Sequence, residues 1–443
     1  MELEDIKQLL KEKGIVGAGG AGFPLYAKLS KEVDTVILNA AECEPLFRVD
    51  RNILKEHSLQ VLEGLNFIVD ILDAKEGVVE IKEHYIEANQ AIDNIISTFP
   101  RLKKKLLKDG YPAGDEVILT YETTGRVVPQ GGIPLNVGIM VMNVETAFNV
   151  YNAVRKNNPV THKYLTVSGA VNTPKTLYVP IGIKFKELIP EVNGINIEEY
   201  KLLVGGPMTG RIGNLNETVT KTTKGIFILP KDNPIIELKE YNLNSLVKRS
   251  MGTCSQCRMC TDLCPRNLVG HSIEPHKIMN SLIFGLDFNS EVFINALACC
   301  ECNLCSAYAC HQSLNPKVII SELKTKLREQ GIKPRFNNEA IVKEEREYRR
   351  VPVKRVISRL KLSEFDKDAP IADIKDKPSI LKINKKQSIG ILVNTVVKIG
   401  DRVKKKDVIG VIDEKDLGVY LHSPIDGIII DIDKDSISIR KEE

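Results

Sequence analysis

Nine of the ten cysteines in this 443-residue chain lie between Cys254 and Cys310, and only Cys43 stands apart. A disulfide framework would spread its bridges through a small secreted domain, whereas a tight block in a long chain points to metal ligation. Cys254, Cys257, Cys260 and Cys264 are spaced C-x2-C-x2-C-x3-C, with Pro265 next. Such a run serves two [4Fe–4S] cubanes at once, three thiolates wrapping one cluster while the fourth, at a helix start, reaches the other. Cys299, Cys302, Cys305 and Cys310 repeat the pattern with a last gap of four, and His311 stands where proline usually follows. The expected wiring gives Cys254, Cys257, Cys260 and Cys310 to cluster I, and Cys299, Cys302, Cys305 and Cys264 to cluster II. Zinc sites favour two separated C-x2-C pairs, not three cysteines in register followed by Cys-Pro. Cys300 is surplus to both sets and reads as a packed or spare thiol.

The chain is too long for one ordinary core, so two to four domains are expected. Lys+Arg 62 against Asp+Glu 58 leaves a net charge of only +4, and Trp is absent. Neither a concentrated basic face nor base-stacking material is available, which argues against a nucleic-acid partner. No run approaches the ~20 apolar residues of a membrane helix. The acidic start, Met1 to Asp5, is not a signal peptide. A cytoplasmic protein is expected, reaching a membrane only through a partner.

Leu3, Ile6, Leu9 and Leu10 share one helical face. A glycine loop follows, Gly17-Ala18-Gly19-Gly20-Ala21-Gly22-Phe23-Pro24, then a helical stretch near Lys28 and a strand from Thr35 to Asn39. Strands at Val78–Ile81 and Ile139–Val141, with a helix through Ile86, Ile92, Ile95 and Ile96, complete an α/β pattern over residues 1–150. From Lys163 to Pro230, β-branched runs separated by turns predict a small α+β domain ending in Gly205-Gly206-Pro207. Residues 331–375 are charged and read as a connecting segment with one helix near Val356–Leu360. Strand–turn units return at Val396–Val403 and His422–Gly427. Gly17, Gly19 and Gly22 match G-x-G-x-x-G, but a helix precedes them where a Rossmann fingerprint needs a strand. The loop can still offer backbone N–H groups to a phosphate or a flat ring.

Gly19-Gly20-Ala21-Gly22-Phe23-Pro24, Lys28, Asn39-Ala40-Ala41-Glu42-Cys43-Glu44-Pro45 and Asn143-Val144-Glu145-Thr146 together resemble the NADH- and FMN-binding flavoprotein subunit of respiratory complex I. The resemblance implies an FMN against Gly17, Gly19, Gly20 and Gly22. It implies that Lys28 and Asn39 help hold the flavin and that Asn143 and Thr146 lie near its phosphate; the acidic pair Glu42 and Glu44 beside that flavin is expected to bind the nicotinamide-ribose hydroxyls of NADH. Ala41 and Cys43 depart from that family's Asp and Gly. Over nearly the whole chain, the order of glycine loop, Tyr111-Pro112-Ala113-Gly114, Val128-Pro129-Gln130-Gly131-Gly132 and two cubanes resembles the RnfC family. Leu268-Val269-Gly270-His271 with Pro275-His276, and a barrel-sandwich domain at the C-terminal side, look like its soluble branch, the PduS-type cobalamin reductases. Asp115 departs from that family's second glycine in Y-P-x-G-G-E.

The resemblance implies a multidomain α/β chain. Its parts are a flavin-binding α/β domain (1–160), an SLBB β-grasp domain (161–240), a two-cluster ferredoxin-like helical domain (241–330), a linker (331–375) and a barrel-sandwich domain (376–443). Lys398-Ile399-Gly400-Asp401 and Ser423-Pro424-Ile425-Asp426-Gly427 resemble biotinyl and lipoyl carriers, yet Lys415 lacks the modification context, so a structural or docking role is preferred. The implied activity passes electrons from NADH via flavin and two cubanes to a corrinoid or a corrinoid enzyme such as an adenosyltransferase. The rival is an electron-relay protein, RnfC-like or serving an amino-acid (proline) reductase, with no substrate of its own and another redox protein as partner.

Overall fold

The computed structural model describes residues 2–285, 289–334, 340–375 and 378–442. Met1, residues 335–339 of the expected linker and the expected boundary at 376 lie outside them.

Leu3–Glu12 (α1) leads into the glycine loop, as the Leu3/Ile6/Leu10 face predicts; Ile6 and Leu10 are fully buried. Four parallel strands follow: Thr35–Ala40 (β1), Glu76–Lys82 (β2), Leu102–Leu107 (β3) and Ile139–Asn143 (β4), in the order β3-β2-β1-β4. All six residues of β1 are buried, as a central strand covered on both faces requires. Val49–Leu72 (α2), Ile86–Asp93 (α3), Glu116–Thr124 (α4) and Val144–Lys156 (α5) supply the connections and cover. The α2–α5 contact is close enough that a Cβ on Gly64 would lie 2.0 Å from the Ala147 carbonyl oxygen, so only glycine fits there. After β1 the chain winds to β2 and β3 on one side, and β4 then joins on the other. The sheet therefore has a topological switch point between the C-terminal ends of β1 and β4, where open α/β sheets bind ligands.

A six-stranded sheet comes next: His162–Gly169 (β5), Lys175–Pro180 (β6), Tyr200–Val204 (β7), Arg211–Gly213 (β8) and Gly225–Pro230 (β9), with Ile371–Asp373 (β10) paired to β6. The segment expected only to connect thus adds an edge strand. Its Val356, Leu360, Leu362 and Phe365 are buried in the same core as Leu203 and Phe227.

The cysteine-rich block is helical, with short helices at Pro234–Lys239 (α6), Leu243–Thr253 (α7), Met259–Asp262 (α8), Pro265–Leu268 (α9), Pro275–Ser281 (α10) and Glu291–Ile294 (α11). Pro316–Glu329 (α12) buries Ile320, Leu323 and Leu327, and Val353–Arg359 (α13) matches the helix expected near Val356. Two small antiparallel sheets make the last domain. One is Ile380–Asn384 (β11) with Arg402–Val403 (β13), Gly427–Ile432 (β16) and Ser436–Lys441 (β17); the other is Asn394–Thr395 (β12) with Val408–Val411 (β14) and Leu421–His422 (β15).

That last domain is seated on α1. Lys11 Nζ donates to the carbonyls of Asp413 (2.8 Å) and Glu414 (3.3 Å), and Tyr420 N–H to the Lys11 carbonyl (3.1 Å). Gly22, at φ +75°, is pressed against Thr222, and its carbonyl accepts Ile389 N–H, so the glycine loop is braced from both neighbouring domains.

Two histidines at these seams titrate against the fold. Burial, with Lys405 nearby, depresses His162 to about 4; its crevice also holds Asp373, Asp426, Lys441 and Glu442. Burial, with Lys221 and Lys13, depresses His422 to about 3. An imidazole with a depressed folded pKa contributes stability that is complete above the ordinary 6.5 and is lost as pH falls toward the folded value. Acidification from pH 6.5 to 4 should therefore cost about 3 kcal/mol for each histidine, roughly 5–6 kcal/mol for the two together. A urea-unfolding series across that window should show the loss, and His162→Asn with His422→Asn should flatten it.

Candidate functional site

The switch point brings the sequence motifs together. Asn39, near the end of β1, is in register with Asn143 at the end of β4. The glycine loop crosses above them: a Cβ on Gly19 would stand 2.6 Å from Asn143 Nδ2, whereas one on Gly20 would meet no atom within 4 Å. Thr146, in the first turn of α5, fixes the loop by accepting Ala18 N–H (3.0 Å) and donating to the Val16 carbonyl (3.3 Å). Asn143 caps α5 without a side-chain cap bond, so it spends no acceptor on the first-turn N–H groups, the groups that bind phosphate at helix N-termini.

Gly19 and Gly20 open onto a cleft of about 650 Å³, whose far wall is Gly205, Gly206, Thr209, Arg211 and Lys224 of the β7–β9 region. Room over Gly20 and a helix N-terminus fit a planar ring bearing a phosphate; the cleft's cations, Arg211 and Lys224, are paired with Glu217 and Asp50.

Lys28 donates to Glu116 Oε1 (2.8 Å) and the Val141 carbonyl (3.2 Å), and Asn39 donates to the Gly114 carbonyl (2.9 Å) while accepting Ala41 N–H (3.2 Å). Both stand at the switch point and already have protein partners. Gly17 N–H closes the loop on the Phe23 carbonyl.

The two glutamates differ. Glu42 is buried; it accepts Asp50 N–H and Arg51 Nε–H, each at 2.8 Å. Burial alone would raise its pKa, but Arg51, Lys224 and the Asp50 amide hold it below the usual carboxylate range. Glu42 thus braces the loop from beneath. Glu44 lines the cleft and accepts Met208 N–H (2.9 Å) and Thr209 N–H (3.0 Å). Burial raises its pKa, partly offset by those two residues and Lys239.

The Met208 carbonyl in turn accepts Asn303 Nδ2–H (3.1 Å) and Lys239 Nζ–H (3.2 Å), and Tyr111 donates to the Cys302 carbonyl (2.6 Å). Asp115 caps α4 through Val117 and Ile118 N–H and pairs with Arg266 (2.8 Å), two residues after Cys264. None of the contacts through Thr209, Arg211, Lys224 or Asn303 is announced by a sequence motif; only Gly205-Gly206-Pro207 marks the loop.

The cysteines separate into two neighbourhoods. Cys254, Cys257, Cys260 and Cys310 line one cavity. Cys264, Cys299, Cys302 and Cys305 lie within one another's electrostatic reach, and Cys300 lies close enough to Cys302 and Cys264 to perturb them. Among the described residues no three His, Cys, Asp or Glu side chains close on a point as ligands of one metal ion would; the first four thiols ring a space instead.

The two runs share a backbone device. Gln256 and Arg258 take φ of 54° and 64°, and Glu301 and Asn303, at the same offsets in the second run, take 58° and 67°. These left-handed residues turn the loop back on itself between successive cysteines. Gln256 Nε2–H reaches Cys254 Sγ (3.2 Å) and Glu301 N–H reaches Cys299 Sγ (3.3 Å), the kind of N–H···S bond that would tune the potential of a cluster bound there. Burial pushes Cys260, Cys264 and Cys299 up to about 12, so a metal bound there would have to displace their protons.

Comparison with known proteins follows the same divisions. Residues 10–152 match the Nuo51 FMN-binding domain, 164–212 the SLBB domain, 253–315 a 4Fe-4S dicluster domain and 357–442 the RnfC barrel sandwich hybrid domain. Cobalamin reductase PduS of Salmonella typhimurium is 36% identical over 443 residues, covering 99% of this chain and 97% of that protein, and PduS of Citrobacter freundii matches to the same extent. A component of the Na(+)-translocating ferredoxin:NAD(+) oxidoreductase complex of Acetobacterium woodii is 32% identical over 60% of this chain and 59% of its own length. An NAD+-reducing [NiFe]-hydrogenase structure shares the fold, with TM-score 0.50 and 19% identity over 75% of this chain and 64% of that one. Among the described residues no helix is long and apolar enough to cross a membrane.

Proposed function

The chain belongs to the family of the PduS cobalamin reductases, and on that premise we propose that it is an oxidoreductase taking electrons from NADH and delivering them to a corrinoid or a corrinoid enzyme. Bound FMN would supply the exchange between two-electron and one-electron chemistry, and the two clusters would supply single-electron storage. Gly19, Gly20, Asn143 and the N-terminus of α5 would hold the flavin and its phosphate. Cys254, Cys257, Cys260 and Cys310 would ligate one cluster, and Cys264, Cys299, Cys302 and Cys305 the other.

One observation carries this reading. The loop Met208–Thr209 is bonded on one side to Glu44 in the cleft and on the other, through Asn303, to the second cysteine run. Cleft and thiols are thereby held at a fixed separation by ordered groups, and Tyr111 adds a parallel tie. Lys224, ion-paired with Asp50, Arg211, ion-paired with Glu217, and the threonines of the cleft form a mixed charged and hydroxyl lining of the kind a dinucleotide's phosphates and sugars would meet. Thiol ligands of this kind persist in a reducing compartment, which suits a cytoplasmic location.

The test is anaerobic. Holoprotein with no partner present should lose its flavin absorbance on addition of NADH, and cob(III)alamin should restore it. Glu44→Gln keeps one acceptor for the Met208–Thr209 amides but removes the charge, and should slow NADH reduction roughly 10- to 100-fold. FMN content and dithionite reduction should stay unchanged. Protein inert to NADH but reduced by a low-potential protein carrier would favour the relay instead.

A further inference from the structure

The two thiol neighbourhoods face different ways. The second is tied inward, through Tyr111 to Cys302, Asn303 to Met208 and Arg266 to Asp115. The first reaches the surface: of the ten cysteines only Cys257 is exposed. Met259, two residues along the chain from Cys257, is 40% exposed, and Met251, on the last turn of α7 before the cysteine run, is 38% exposed. Lys248 and Arg249 on the last turns of α7, and Arg258 in the cysteine loop, are exposed cations. Arg249 is held there by donating to the Gln312 carbonyl (2.9 Å), and Gln312 and Arg258 line the cavity with the four cysteines. No acidic residue occurs between Leu243 and Thr261. Two flanking carboxylates are already engaged, Asp262 with Arg349 (3.2 Å) and Arg258 (3.9 Å), and Glu274 with Lys277.

Resting on the reading that these thiols hold clusters, we propose that the Cys257 corner is the docking face for a protein one-electron carrier with an acidic rim around its own redox centre. Electron-transfer encounters use small interfaces, steered by complementary charge and released quickly. Flexible, polarizable methionines among fixed cations suit such a face. Charge compensation of a cluster would explain the cations but not two exposed thioethers bracketing the start of the first cysteine run.

Holoprotein whose iron and sulfide content has been measured is titrated with a bacterial flavodoxin, an acidic carrier, by calorimetry at low and high salt. Binding should be seen at low salt and weaken about tenfold or more when salt is raised. Lys248→Glu with Arg249→Glu should weaken it by a similar factor, and the milder pair Lys248→Ala with Met251→Ala by less. NADH reduction of the flavin and the dithionite-reduced cluster spectrum should be unaltered in both. Equal flavodoxin binding by the reversed variant would overturn the proposal. So would binding to phosphatidylglycerol vesicles in place of flavodoxin, or a shifted cluster potential with unchanged binding. Protein lacking iron would instead defeat the cluster reading on which the proposal stands.

Discussion

Replacing Gly20 with leucine should leave the chain folded and strip it of FMN. A side chain at Gly20 meets no atom within 4 Å, so the fold accepts it, and the direction it takes is into the cleft. The cofactor and the side chain then compete for one volume, and flavin affinity should fall about a hundredfold or more, since overlap with a rigid ring cannot be relieved by a small shift. The melting temperature of the flavin-free protein should change by no more than about 2 °C. Gly19→Ala makes a useful contrast, because its Cβ would push on Asn143 and disturb the motif itself. Fluorescence titration with FMN and thermal melts separate the two. Stoichiometric FMN in Gly20→Leu protein would remove the cleft from consideration as the flavin site.

Cys264→Ala should remove one cluster and spare the other, lowering iron from about eight to about four per chain. Cys264 begins α9, with Pro265 in the first helical turn, and belongs with Cys299, Cys302 and Cys305 although it follows Cys260 in sequence. The EPR signal of the cluster held by Cys254, Cys257, Cys260 and Cys310 should persist. Loss of that signal with survival of the other would reverse the wiring.

The match to a 4Fe-4S dicluster domain was readable because such domains carry their cysteines at fixed spacing in sequence. The β1 and β4 strands were readable for a related reason, since strands buried on both faces are short apolar runs. Helix α2 was not, although it is 24 residues long: its backbone breaks from helical geometry at His57, and Lys55–Gln60 interrupts the apolar period there. The strand β3 hides for another reason. Its sequence, LKKKLL, places lysines along an edge, where they discourage pairing with another chain and resemble plain surface.

Within the site, the motifs marked which residues gather at the switch point but not what each one does. Glu42 and Glu44 are two residues apart in sequence, yet one is consumed by Asp50 and Arg51 beneath the loop and the other faces the cleft. Their partners lie up to 165 positions away, beyond any local pattern. Asp115 is the converse case: a departure from the family pattern that the fold uses, as helix cap and as counter-charge to Arg266.

The seat of the barrel-sandwich domain on α1 separates where a domain sits from where it is spliced. Lys11 and the carbonyls of Asp413 and Glu414 meet across 402 and 403 positions of sequence, so the contact depends on surfaces and not on the connection between them. A gene rearrangement that fused this domain ahead of α1, with a linker in place of the present one, would deliver it to the same surface with the same hydrogen bonds. Domain order in such chains is then free to drift between lineages while the assembled molecule stays superimposable, and architecture read from gene order alone would count as two designs what is physically one.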